Sequence, residues 1–256
     1  MFLSYGQCRN DKEVVFQPGE KIYYHAFYNW AFIWLDAGLV SFEVAADRWQ
    51  GLPAYRLTSI GVTQHGYDRL FSVRDTFEVF LSPETLMPYE FKRITNEGSY
   101  FSKHHYLFNW DKKTITARIS KEGAPAERKE MEWPDCTFDV LSMIYHARNI
   151  DFLKYKPGDK IPISLLVDGE IYSLYIRYLG EEVVEDREGQ EFNCLKFRPL
   201  LVEGTIFEAG EDMTVWVTND QNRVPVIVEA KILIGSVKAI MSGYEGLKFP
   251  LSAKVQ

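Results

Sequence analysis

Cysteine is scarce in this chain. Cys8, Cys136 and Cys194 are its only three, with no CxxC spacing, and an odd number cannot all pair with one another, so neither a disulfide scaffold nor a zinc site is expected. No stretch approaches the ~18 consecutive apolar residues of a membrane-spanning helix, which excludes a transmembrane segment of that kind. Runs of basic residues are missing too. With 29 Lys and Arg against 36 Asp and Glu, the net charge is −7, and a nucleic-acid backbone is excluded as the main partner because phosphate binding needs clustered cations. The five histidines, His25, His65, His104, His105 and His146, show no HxH or HxxxH spacing, and on a strand the adjacent His104 and His105 point to opposite faces. No metal site and no cofactor are expected. There is no GxSxG elbow and no phosphate-cradling glycine loop, so no catalytic residue can be named.

What the sequence does have is repetition. Phe16-Gln-Pro-Gly-Glu-Lys-Ile22 returns as Tyr155-Lys-Pro-Gly-Asp-Lys-Ile161, an offset of 139 residues. Gly51-Leu-Pro-Ala-Tyr-Arg-Leu57 returns as Gly189-Gln-Glu-Phe-Asn-Cys-Leu195 at 138, and the pattern from Asp75 to Pro88 returns from Asp212 to Pro225 at 137. Three matches in one order at nearly one spacing indicate two copies of a supersecondary unit. Period-2 alternation and turn residues place strands over 21–28, 39–47, 54–64, 70–81 and 88–95 in the first copy, with an extension over 103–111 and 114–121. The second copy gives 160–167, 170–179, 191–199, 206–218, 225–232 and 236–244. Aromatic residues, 15% of the chain, favour the same state, since flat rings pack well across neighbouring strands. Asp168-Gly169 is a strong hairpin turn, and Lys112-Lys113 sits at another.

So many antiparallel strands must curl, close or split. The expected fold is therefore all-β: a large curved sheet or open barrel built from two tandem β-meander repeats, with one buried helix between them. The unit spans 12–250, with a first repeat over 12–131 (extension 98–131), a helix over 137–151 and a second repeat over 153–247. The helix begins near Phe138, capped by Asp135 or Thr137. Apolar residues occupy most of its circumference, which suits a buried position on the concave face of the sheet.

Candidate site residues fall in two places. On the helix, Asp139, Ser142, His146 and Asn149 form a polar stripe, and His146 or Arg148 is placed to face an anionic ligand; a buried ion pair that fixes the helix to the sheet is the competing reading. Between the first two strands, Trp30, Phe32, Ile33, Trp34 and Leu35 form an apolar segment where the second copy turns tightly, suited to a cavity lid or a contact with a hydrophobic partner. A packed core corner is the alternative. Carboxylate pairs such as Asp75 with Glu78, or Glu211 with Asp212, have the chemistry for acid–base work on a glycan, but spacing alone selects no pair.

Three stretches carry a family resemblance: Phe16-x-Pro-Gly-Glu20 leading into a Tyr-rich strand, Asp139-Val-Leu-Ser-x-Ile-Tyr-x-x-Arg148, and Val215-Trp-Val-Thr-Asn-Asp-Gln-Asn-Arg-Val-Pro225 followed by Ile234-Gly-Ser-Val237. Together, from Phe16 to Leu247, the chain resembles a bacterial envelope family known as domain of unknown function 3108. The resemblance implies a periplasmic or outer-envelope protein of Gram-negative bacteria with no established activity. Met1 to Cys8 is too short for a signal peptide yet resembles the tail of one, although Gln7 is not the small residue expected before a lipidated cysteine. The leading expectation is a non-enzymatic envelope protein binding a lipid or other amphipathic molecule in a β-sheet cavity. A glycan-active hydrolase or lyase and a structural module contacting another envelope protein are the alternatives.

Overall fold

A computed structural model of the chain describes residues 13–30, 33–64, 66, 72–202, 210–232 and 235–255. Among them, fifteen strands make one sheet. The first eight are β1 (Lys21–Trp30), β2 (Ile33–Trp49), β3 (Leu52–Thr63), β4 (Arg74–Leu81), β5 (Pro88–Glu97), β6 (Tyr100–Asn109), β7 (Thr114–Lys121) and β8 (Glu127–Glu132). A short β9 (Thr137–Asp139) leads into the helix α1 (Val140–Arg148), and β10 (Lys160–Val167), β11 (Glu170–Glu185), β12 (Glu191–Pro199), β13 (Met213–Thr218), β14 (Pro225–Lys231) and β15 (Ser236–Glu245) follow. The spatial order runs from β8 through β7 down to β1, then from β15 down to β9. Every pairing is antiparallel except that of β9 with β10. The chain thus builds one meander outward from the middle and a second back to it, and β1 and β15 join them along Lys21↔Glu245 to Asn29↔Ser236.

Strands β1 to β6 and β10 to β15 have the same order and direction, as a duplication requires. Finer features repeat as well. Pro88 opens β5 and Pro225 opens β14, strand starts where a missing N–H is tolerated. Two residues before each, Leu86 (φ 58°) and Arg223 (φ 52°) adopt the left-handed conformation. The Pro-Gly turn before each copy docks on that copy's second strand: Gly19 N–H donates to Val44 O at 2.8 Å and Val44 N–H to Glu20 O at 2.9 Å, while Gly158 pairs with Tyr178 O at 2.7 Å and Tyr178 with Asp159 O at 3.0 Å. β6 and β15 stand at matching places in the strand order, with β7 and β8 beyond β6.

Some strands differ from expectation. β2 begins at Ile33 and β11 continues to Glu185, because their hairpin partners extend the ladder at both ends. Residues 70–71 and 206–209 of the expected strands lie outside the described residues, and β4 and β13 begin at Arg74 and Met213. β8 and β9 were not anticipated. They are the two edges of the sheet, and each is protected. β8, with the sequence Glu-Arg-Lys-Glu-Met-Glu, is almost wholly exposed, and such a charged edge discourages further pairing. β9 is three residues long and buried.

The helix is shorter than the expected 137–151, since residues 137–139 join β10 through Ser164↔Thr137 to Leu166↔Asp139. Its cap is Asp139, not Asp135 or Thr137. One Asp139 oxygen accepts the Ser142 N–H at 2.9 Å, and the other accepts the Ser142 hydroxyl. Leu141 and Tyr145 enter a core with Phe16, Leu57, Val79, Tyr106 and Ile115 from the first copy. Ala147 and Ile150 pack on a second core of Phe152, Ile161, Tyr178, Leu195 and Phe197. The helix is therefore a wedge shared by both halves of the sheet.

Candidate functional site

Arg148, expected to face a ligand, faces the protein. Its guanidinium forks onto the Glu20 carboxylate at 2.5 and 3.0 Å and donates twice to Asn222 O at 3.2 and 3.0 Å. It lies between the Phe16 and Tyr145 rings, 5.7 and 5.3 Å from their centroids. Burial alone would lower its pKa, and the Glu20 charge with its hydrogen bonds outweighs this and holds the pKa above the ordinary value. The Asn222 side chain in turn donates to Phe249 O and Pro250 O and accepts the Phe249 N–H. The three stretches that carried the family resemblance therefore meet at one buried ion pair. That geometry restores the competing reading of Arg148, a staple fixing the helix to the sheet.

His146 is also buried, with its ring stacked on Phe138 at 4.3 Å. Of the aromatic segment, Phe32 and the side chains of Trp30 and Trp34 lie outside the described residues. The backbone is informative all the same. The segment does not interrupt the hairpin, because β1 and β2 stay paired up to Trp30↔Ile33. β3 accompanies β2 only to Gly38↔Thr63, followed by one bond from Gln64 N–H to Ala37 O, and β15 begins at Ser236 opposite Asn29. Among the described residues the tip is thus a two-stranded ribbon reaching past both flanking strands. A polar cluster lies at its base: Asp36 accepts from Arg187 at 2.7 Å and from Gln64 at 2.8 Å, and lies 3.0 Å from His25 Nδ1.

The carboxylates singled out by sequence are occupied. Glu78 lies within ion-pair distance of Arg56 and Lys92, Glu211 is held by Arg177 and Tyr175, and Asp212 by Lys231. One carboxyl–carboxyl contact not foreseen is Asp75 with Glu97, where burial and then the Asp75 charge push Glu97 up to about 7. A proton donor at neutral pH beside a second carboxylate is a feature that acid–base catalysts use.

A second polar group was also missed. The Asp168-Gly169 tip of the β10–β11 hairpin crosses to the first copy, where Asp168 accepts from Arg93 at 2.5 Å and Gly169 N–H donates to the Tyr106 hydroxyl at 3.1 Å. A Cβ on Gly169 would stand 2.8 Å from Ile119 Cδ1, which would have to shift, and the φ of +79° is one that glycine adopts without strain. Arg93 also donates to His104 Nε2 at 3.0 Å, leaving the Nδ1 proton for Tyr106, likewise at 3.0 Å. Burial, then the Arg93 charge, pushes His104 down to about 4 from its ordinary 6.5. An unfolded chain takes up that proton near 6.5 and the folded one resists it. The stabilisation is complete above 6.5 and is lost as pH falls towards 4, a change of about 2–3 kcal/mol. Urea unfolding at pH 7 and pH 4.5 should show a smaller drop in His104→Gln than in the parent, and equal drops would exclude His104 as the source.

Beside the Arg148 staple a cleft of about 280 Å³ opens, with Val15, Asn149, Ile150, Arg223 and Phe249 among its walls. Of the cysteines, Cys136 is disulfide-bonded, and Cys194 is free and buried, with its thiol pushed up to about 12 by burial. Cys8 lies outside the described residues.

Fold and site together define an open, barrel-like all-β protein wedged by one helix, with polar networks that are mainly architectural. The chain belongs to the family described as Protein of unknown function (DUF3108), whose model matches residues 22–242. No curated protein matches it. Among solved structures it is similar to a beta-barrel-like protein of domain of unknown function DUF1849 from Brucella abortus, with a TM-score of 0.60 and 8% identity over 91% of this chain and 100% of that one. At that identity the likeness concerns the fold.

Proposed function

We propose that this is a non-enzymatic protein of the bacterial envelope that engages a lipid surface or another amphipathic partner through the tip of the β1–β2 ribbon. The observation that carries the reading is the ribbon itself: paired to Trp30↔Ile33, past the ends of its flanking strands, with Trp30, Phe32, Ile33 and Trp34 in the tip sequence and the Asp36, His25, Gln64 and Arg187 cluster at its base. A tip sequence rich in Trp and Phe beside a polar cluster suits a membrane–water interface, where Trp and its neighbours settle at the level of the headgroups. The Cys136 disulfide supports an envelope location, since disulfides persist in oxidising compartments.

Replacing Trp30 and Trp34 together by Ser is expected to leave the unfolding midpoint within the range of surface substitutions, about 0.5 kcal/mol, while removing co-sedimentation with phosphatidylethanolamine vesicles and binding of a fluorescent fatty-acid probe. A loss of several kcal/mol would return the indoles to a core corner, and unchanged binding would end the lipid reading. A glycan-directed hydrolase is the second reading, favoured by the Asp75–Glu97 pair. It requires turnover of a glycan that Glu97→Gln abolishes.

A further inference from the structure

We infer that the cleft beside the helix C-terminus binds a small organic carboxylate, held by the Arg223 guanidinium. The two copies differ here in a telling way. Leu86 and Arg223 occupy the same place, both left-handed and both two residues before the proline that opens the next strand. Leu86 is fully buried, whereas Arg223 is half-buried and borders open space of about 280 Å³.

Arg223 is fixed but lacks a counterion among the described residues. Its Nη1 donates to Ile150 O at 3.1 Å and its guanidinium lies over the Phe152 ring at 5.6 Å. Asp151 and Asp220 act on it only through longer-range charge, and no carboxylate among the described residues comes within ion-pair reach. The other charged residues in the cleft wall, Arg148, Glu13 and Asp151, have partners of their own: Arg148 forks onto Glu20, Glu13 lies 2.9 Å from Lys248, and Asp151 lies 3.4 Å from Lys154. Asp220 accepts amide N–H groups of its own turn. Burial holds the Arg223 pKa below the ordinary arginine value, as expected of a cation short of a partner. A guanidinium already immobilised by a carbonyl and a ring gives up little freedom on binding, and its fork matches a carboxylate. Val15, Ile150 and Phe249 supply apolar wall for a short carbon body. At ~30 Å³ per water the space equals roughly nine waters, enough for a small acid and too little for a lipid chain. Phosphate shares the oxyanion chemistry, but the apolar wall favours the carboxylate.

Calorimetric titration of the intact protein with benzoate, acetate and inorganic phosphate tests this. Benzoate is expected to bind with a Kd on the order of 1 mM, more tightly than acetate or phosphate, and Arg223→Leu, which installs the residue of the first copy, should weaken it at least about tenfold. If Arg223→Leu folds poorly, Arg223→Lys keeps the charge without the fork, and it too should bind benzoate more weakly at an unchanged unfolding midpoint. Absence of benzoate binding, equal affinity in parent and variants, or tighter binding of phosphate than benzoate would overturn the assignment. The Trp30 and Trp34 double variant should retain benzoate binding, so this result and the ribbon result stand apart.

Discussion

Arg148→Met should destabilise the protein by about 3–5 kcal/mol, the usual penalty for removing one partner of a buried ion pair. The single variant leaves the Glu20 carboxylate, with a side-chain exposure of 0%, buried with its charge uncompensated. It also removes both donors to Asn222 O, freeing the loop between β13 and β14 and, through the Asn222 side chain, the segment at Phe249. The double variant Glu20→Met with Arg148→Met should recover much of the loss, because apolar replacement of a complete buried pair is often neutral. Urea denaturation of the two variants separates the terms. A single-variant loss below about 1 kcal/mol, typical of exposed pairs, would show that water reaches the pair. A double variant as unstable as the single would place the loss in the Asn222 contacts and not in the stranded carboxylate.

Much of the architecture was legible because it is written in short-range patterns. The repeated Pro-Gly turns, the paired prolines Pro88 and Pro225, and the Asp168-Gly169 hairpin each depend on local backbone geometry, and each stands where the spacing put it. Strand lengths were less legible. The ladder between β1 and β2 runs through Trp30↔Ile33, and apolar residues on both faces of a ribbon give no alternation to read. β9 was hidden for a related reason: Thr-Phe-Asp borders the helix and reads as its first turn, and only the parallel partner β10 makes it a strand.

The site was less legible than the fold. Sequence placed Arg148 on the helix and offered two roles for it, but its carboxylate, Glu20, lies 128 residues away, and no local rule links them. A signal was present in the duplication. Glu20 aligns with Asp159, of the same charge, and Leu86 with Arg223, so of these two aligned pairs only the second changes charge between the copies, and it lies at the helix end. The contact between Asp75 and Glu97 depends on the register of β4 with β5, which sequence reading does not fix.

Leu141→Ala is the sharpest probe of how the copies cooperate. Leu141 is 1% exposed and packs within the first-copy core, while Ala147 of the same helix, with Ile150 just beyond its end, packs on the second. Truncation removes three carbons from a site walled by strands of a large sheet, which cannot readily collapse onto the space. The expected loss is about 2–5 kcal/mol. Ile144→Ala should cost less, since Ile144 is only half-buried against the same cluster. Because the wedge belongs to both cores, thermal unfolding of Leu141→Ala should remain a single transition at a lower midpoint, with fluorescence and circular dichroism coincident. A loss under about 0.5 kcal/mol, the level of surface changes, would place the helix outside the core. Two separated transitions would instead show that each copy folds alone and that α1 merely bridges them.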